Sequence, residues 1–532
     1  MNQVYGPDPR AIYQAAISAV SPAILVNKAI HYDPFDGTVI VQGVKYFVDH
    51  NVKVVAFGKA VLGMLGALER LLGDHIVEGV ASIPAGSLEL AKQHHPEWLP
   101  VKDSRIRVYE GAPHNIADSM AEQAARHVLR LVQSAGDQDL LIVLISGGGS
   151  ALLPCPVEGV SLDEKRKGSQ LLAKAGATIH DINNFRKCIS LVKGGKLAEA
   201  AYPTKLMRNK LTNRVLKWFT FYCAVQITCH QGYPPQLLAL ILSDVIGDPL
   251  DVIASGPTVP NTTPTQEVLR TMDSYGVREA MPTSIIHHLQ HTHTTPISCP
   301  IGERAFQNVQ NVIIGNNETA TSAAAQRAEE LGYTTYVWSH GVEGEARTIG
   351  EIYARVAMAL VSSSPCPTSS LSPDGFCPTP RLAEDLQRLC SSLPYLRSHL
   401  PLCIIGAGEP TVRLRGAGRG GRSQELALAV AIWLDRLARE KTLGVVPHDI
   451  IQFLSAGTDG EDGPCDAAGG VVGVGVVRRA GDQGMDPQAH LDNNDSYGFF
   501  SKLWEGRHHI RSGLTGTNVM DVHVLCVNRA SP

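Results

Sequence analysis

The chain has 532 residues, 44% of them hydrophobic and 18% charged, with a formal net charge of -4. That length suffices for two or more packed domains, and the near-neutral balance argues against nucleic acid or a membrane as the main partner, since both select a basic face. No long apolar run, no secretory signal at the N-terminus, and eleven cysteines without a C-x-x-C pair together suit reduced thiols in the cytosol.

In chain order, "VKVVAFG" (52–58) predicts a strand that leads into a helix over "KAVLGMLGALERLL". "SMAEQAARHVLRLVQSAG" predicts an amphipathic helix with Ala121, Ala124, Val128 and Leu131 on one face. It feeds Leu140–Ile145, a run without polar alternation, as a strand covered on both faces reads. "LLALILSD" (237–244) is another such strand. "NVIIGN" (311–316) precedes a helix in "ETATSAAAQRAEELGY" that Gly332 stops, and "TTYVWS" follows as a strand. "LCIIGAG" (402–408) and "IIQFLSAG" (450–457) are the late strands. This alternation predicts a parallel α/β sheet.

Three segments differ. Residues 362–381 are rich in Ser and Pro and predict an exposed, disordered loop. Residues 205–234 are basic and aromatic and read as an insertion with a short helix, or as a nucleic-acid or partner surface. The histidines of "HHLQHTHT" (287–294) lack a carboxylate or Cys at metal spacing, which predicts a solvated loop.

Polar and glycine clusters recur at strand ends. Lys59 follows the first strand, and "SGGGS" (Ser146, Gly147, Gly148, Gly149, Ser150) follows Ile145. Asp244 and Asp248 follow the third, Glu409, Arg419 and Arg422 follow "LCIIGAG", and Asp459, Glu461 and Asp462 follow "IIQFLSAG". A last cluster holds Asp495, Asn518 and Asp521. Each alone is ordinary turn chemistry; their recurrence points to an active cleft. Fixed cations, glycine-loop amides and carboxylates are what phosphoryl transfer requires, because it needs charge stabilisation and positioning more than covalent help. The P-loop, dinucleotide and hydrolase-elbow patterns all fail: Ala60 follows Lys59, Leu197 follows Lys196, and Leu152 stands at the last dinucleotide position.

These motifs resemble the class II, or MOFRL-type, glycerate kinases, and among them the animal enzymes. "FGKA", "LISGGGSALL", "INNFRKCISLVKGGKLA", "LILSDVIGDPLDVIASGPT", "GAGEPTV…GRGGRSQELAL", "SAGTDGEDGP", "NNDS" and "TGTNVMD" carry the resemblance over almost the whole chain. It implies transfer of the ATP γ-phosphoryl group to D-glycerate with Mg²⁺. It further implies an N-terminal Rossmann-like αβα domain over about 1–300 and a C-terminal MOFRL-type α/β domain over about 301–532, with the active site in the cleft between them. Lys59 and Arg422 would be the catalytic cations, with Asp244 either base or Mg²⁺ ligand. Ser146–Ser150 would cradle a phosphate or the substrate carboxylate, and Lys193, Glu409, Asp459 and Asn518 would complete the ATP and substrate contacts.

The chain departs from the family at Ala407 and Ser423, and above all at 205–234, where few residues are usual. Phosphorylation of the 3-hydroxyl is the expected outcome. The alternatives are an NAD(P)H-dependent hydroxypyruvate reductase, a non-catalytic sugar-acid sensor and a form impaired by the insertion. The cytosol is the expected location, with a mitochondrial form if an upstream leader exists.

Overall fold

The computed structural model describes residues 8–202, 236–291, 305–361, 379–440 and 450–528. Contacts divide the chain into two compact units, one of residues 22–243 and 248–314, the other of residues 1–21, 244–247 and 315–532. The 205–234 segment lies outside the described residues, as do 362–378 of the Ser/Pro-rich stretch and 292–294 of the histidine run.

The first unit opens with a small antiparallel meander, β1 (His31–Asp33), β2 (Thr38–Val41) and β3 (Val44–Phe47), which no strand expectation covered. Its main sheet contains β4 (Val52–Phe57), β5 (Ile76–Pro84), β6 (Ile106–Gly111), β7 (Leu140–Ile145), β8 (Gln236–Leu242) and β9 (Val309–Gly315) in the order β6-β5-β4-β7-β8-β9. Counted from β4, that is the 3-2-1-4-5-6 order of a doubly wound sheet, whose strand order reverses between β4 and β7. The β6–β5, β5–β4, β4–β7 and β7–β8 pairs are parallel. Every residue of β7 is buried, as its unbroken apolar run predicts. Helix Ser119–Ser134 buries Ala121, Ala124, Val128 and Leu131, with the Asp118 carboxylate capping its start by accepting from Ala121 N.

The second unit is built on β10 (Thr334–Val342), β11 (Leu402–Gly408), β12 (Ile451–Gly457), β13 (Gly469–Gly473), β14 (His509–Ile510) and β15 (Asp521–Val527), ordered β10-β11-β15-β12-β13-β14. Here the parallel expectation holds only for β10–β11; the β11–β15, β15–β12, β12–β13 and β13–β14 pairs are antiparallel. Between β12 and β13 lies only the loop 458–468, too short for the crossover a parallel neighbour needs. The core brings helices Ala346–Val361 and Arg422–Glu440 onto the sheet through Ile349, Tyr353, Leu426, Val430, Phe453 and Leu525.

Two loop expectations are corrected at their edges. His287, His288 and His291 belong to helix Thr283–His291, which Ile285 and Leu289 anchor in the core, so apolar spacing outweighed the polar composition. Pro380 and Arg381 begin helix Pro380–Ser398, with Thr379 capping it and Pro at the first helical position. No helix among the described residues is long and apolar enough to cross a membrane.

Candidate active site

Pairing of Phe57 with Ile145 ends β4 and β7 side by side, at the reversal of strand order. Lys59 N donates to Gly147 O at 2.8 Å, and Ala60 N donates to Ser146 Oγ at 3.0 Å. Ser146 is fully buried, so its hydroxyl braces the two turns. Gly148 takes φ +78°, and a Cβ there would stand 3.0 Å from Lys59 Cγ. Only glycine lets the stem of Lys59 cross this turn, and Lys59 itself is exposed. Gly149 opens a single helical turn, and Ser150 Oγ lies 2.9 Å from Ser255 Oγ. Lys193 is buried close by, its Nζ donating to Ala254 O at 3.3 Å. Burial, and then Lys165 and Arg186, hold its ammonium well below the usual lysine range.

In the second unit, antiparallel insertion of β15 decides the site. Asp521, its first residue, pairs with Gly408 at the end of β11 and with Gly457 at the end of β12. The three loops "GAGEP", "GTDGED" and "TGTNVM" therefore meet at one end of the three central strands. Arg422, first residue of its helix, donates from Nε and Nη2 to Asp521 Oδ2 and Oδ1 at 2.7 and 3.0 Å, and from Nη1 to Glu409 Oε1 at 2.8 Å. Burial pulls its pKa down, but Asp521 and Glu409 outweigh that and hold the guanidinium protonated. The Asp521 carboxylate is 2% exposed and that of Glu409 51%, so one arm of the clamp is fixed and the other faces solvent.

The start of that helix is capped from a distance. Asp462 accepts from Ser423 N at 3.0 Å, Gln424 N at 2.8 Å and Gln424 Nε2 at 3.0 Å. A Cβ at Gly421 would collide with this carboxylate. Burial, then Asp521, pushes Asp462 up to about 7 against these donors. Asp459 is half-buried beside Gly457, its Oδ1 accepting from Glu461 N at 3.2 Å. Asn518 Nδ2 donates to Asp244 Oδ2 at 3.4 Å, which joins two candidates that lie 274 positions apart. Among the described residues no group of three or more His, Cys, Asp or Glu side chains is arranged to hold a metal.

The sequence-predicted residues thus fall into two constellations. Lys59, Ser146–Ser150 and Lys193 gather in the first unit; Asp244, Glu409, Arg422, Asp459 and Asn518 gather in the second. Tyr13, whose Oη donates to Gly457 O at 2.5 Å, was missed, because nothing near it in sequence signals a site. Asp462 and Asp521 were visible as acidic loop residues, but their capping and clamping roles were not.

Residues 402–521, which carry Glu409, Arg422, Asp459 and Asn518, match the MOFRL family. Residues 8–210 and 229–290 match a family described as a domain of unknown function, DUF4147, the match breaking inside the 205–234 segment. A rat glycerate kinase is 41% identical over 527 residues, 97% of this chain and 92% of the relative. The chain belongs to the MOFRL-type glycerate kinase family. A D-glycerate 2-kinase from Thermotoga maritima is 33% identical over 89% of each chain. The crystal structure of a glycerate kinase from Thermotoga maritima superposes with a TM-score of 0.70 at 30% identity, covering 97% of both chains. The two-domain glycerate kinase architecture is thus shared at the level of fold as well as sequence.

Proposed function

We propose that this chain transfers the γ-phosphoryl group of ATP to a hydroxyl of D-glycerate. The observation that carries the reading is the position of the family's signatures, which fall at the strand ends where the two constellations assemble. In this reaction the substrate hydroxyl oxygen bonds to the γ-phosphorus, ADP departs, and the hydroxyl proton passes to a carboxylate. Lys59 neutralises charge on the transferring group, and Arg422, its fork fixed by Asp521, turns its remaining N–H groups and its charge toward an anionic group. Gly147–Ser150 supply main-chain amides to a phosphate or carboxylate. Asp244 takes the proton or binds Mg²⁺, with Glu409, Asp459, Asn518 and Lys193 as supporting contacts.

Mg²⁺ commonly keeps one or two protein carboxylates and takes its remaining oxygens from phosphates and water, so a complete protein cage is not required. The oxygens of Asp244 and Asn518 are donors of this kind. The ion would supply charge neutralisation across the β- and γ-phosphates.

The Thermotoga relative's name favours the 2-hydroxyl as acceptor over the 3-hydroxyl expected from the resemblance. An enolase-coupled assay separates the two, because 2-phosphoglycerate enters it directly and 3-phosphoglycerate only after a mutase. The primary test is ADP release from ATP, Mg²⁺ and D-glycerate, beside a version lacking residues 205–234. Glycerate-dependent ADP release supports the reading. NAD(P)H consumption with hydroxypyruvate, or neither activity in both versions, would sink it. Activity only in the shortened version would make this chain an impaired form.

A further inference from the structure

Five basic side chains cluster around helices Leu162–Lys174 and Ile179–Cys188 in the first unit, and the fold accounts for only two of them. Lys196 Nζ donates to the carbonyls of Lys187, Cys188 and Ser190 at 3.0, 3.4 and 2.6 Å, closing the C-terminus of the second helix. Lys187 pairs with Asp251 at 3.1 Å. Among the described residues the other three lack such partners. Lys165 is 6% exposed, and its Nζ has no hydrogen-bond partner among the described residues. Lys193 has the single bond to Ala254 O, and Arg186 a long one, 3.4 Å, from Nη1 to Asn183 Oδ1. Among the described residues no carboxylate lies within ion-pair distance of any of the three.

Gathering like charges in a dry place without a counter-ion is unfavourable. Burial chiefly pushes Lys165 down to about 7, with Arg186 and Lys196 adding to it and Cys155 and Glu122 opposing; burial first, and then Lys165 and Arg186, depress Lys193. An anion among them would reverse both effects. The cluster also adjoins the glycine loop. Asn183 Oδ1, the acceptor of Arg186, accepts from Ser255 Oγ at 3.2 Å, and Ser255 Oγ lies 2.9 Å from Ser150 Oγ. Ala254, whose carbonyl holds Lys193, packs against Gly149, where an added Cβ would stand 2.9 Å from its own.

We propose that Lys165, Arg186 and Lys193 form a buried oxyanion-binding subsite beside Gly149–Ser150. Its ligand is a carboxylate or a phosphoryl group; that the ligand comes from D-glycerate or ATP rests on the proposed kinase reading. The subsite adds Lys165 and Arg186 to the residues legible as strand-end motifs.

The test is the thermal unfolding midpoint of the full chain, titrated with D-glycerate alone and with inorganic phosphate alone, without nucleotide. At least one anion should raise the wild-type midpoint. Lys165→Met should weaken that response about tenfold or more, while Lys165→Arg, which keeps the charge, should retain most of it. A loss confined to D-glycerate identifies the carboxylate as the ligand, and one confined to phosphate identifies a phosphoryl group. An undiminished response to both anions in Lys165→Met, or no wild-type response to either, overturns the subsite. Should Lys165→Met fail to fold, Arg186→Gln at its less buried position gives the same comparison. Because binding is read without turnover, a chain that binds but releases no ADP would overturn the kinase reading and leave the subsite standing.

Discussion

Asp521 grips Arg422 through two parallel hydrogen bonds of 2.7 and 3.0 Å, though 99 positions separate them. The pair depends on the planar guanidinium fork, which a lysine ammonium cannot reproduce. Arg422→Lys should therefore lose most turnover despite keeping its charge, about 10²-fold in ADP release. A wild-type rate in this variant would remove the fork from the mechanism. Asp521→Asn should destabilise by about 2 kcal/mol, between the values for breaking exposed and buried pairs, because Arg422 is partly solvated. Urea unfolding checks it.

Lys59 is exposed, so its removal separates chemistry from folding. Lys59→Ala should keep its unfolding free energy within roughly 0.5 kcal/mol of wild type and lose about 10²–10³-fold in kcat. Retained turnover would show that this lysine is only a solvated strand-end cation.

Gly148→Ala forces a Cβ into the left-handed region and toward Lys59 Cγ, 3.0 Å away. Backbone strain of roughly 1–2 kcal/mol should appear in the stability. Turnover should fall through displacement of Lys59, so adding Gly148→Ala to Lys59→Ala should cost little further activity. Independent, multiplicative losses would separate the glycine from the lysine.

His523 is fully buried in β15, its Nδ1 3.1 Å from Tyr353 Oη, and burial lowers its pKa to about 4. Its unfolded value is about 6.5, so below that pH the unfolded chain binds a proton that the folded chain refuses. The stability His523 contributes is thus fully present above about pH 6.5 and lost as pH falls toward 4, roughly 3 kcal/mol in all. His523→Gln should flatten part of this loss in denaturant unfolding between the two pH values. His509, also lowered to about 4, leaves a residual slope. Identical slopes for variant and wild type would contradict the assignment.

The elements that site these residues were largely legible in sequence. β4, β7, β11 and β12 fall on the predicted runs, because a largely apolar stretch that ends at a glycine turn encodes a buried strand and its turn within a few neighbours. The short strands β13 and β14 escaped, since Gly469–Gly473 and His509–Ile510 are too brief to show a period. The acidic loop "GTDGEDGP" was visible, yet nothing local said that Asp462 would cap a helix starting 40 positions earlier, at Arg422.

By itself, then, the sequence determined the longer apolar strands and the amphipathic helix before β7, and which of those strand ends carry cations, carboxylates and glycine turns, because those properties lie in periodicity and turn chemistry a few residues long. Tertiary structure alone decided the direction of β15, which seats Asp521 between Gly408 and Gly457 and thereby beside Arg422. It also decided the burial of Lys165 and Lys193. Strand pairing and desolvation are set by residues distant along the chain, so no local pattern carries them.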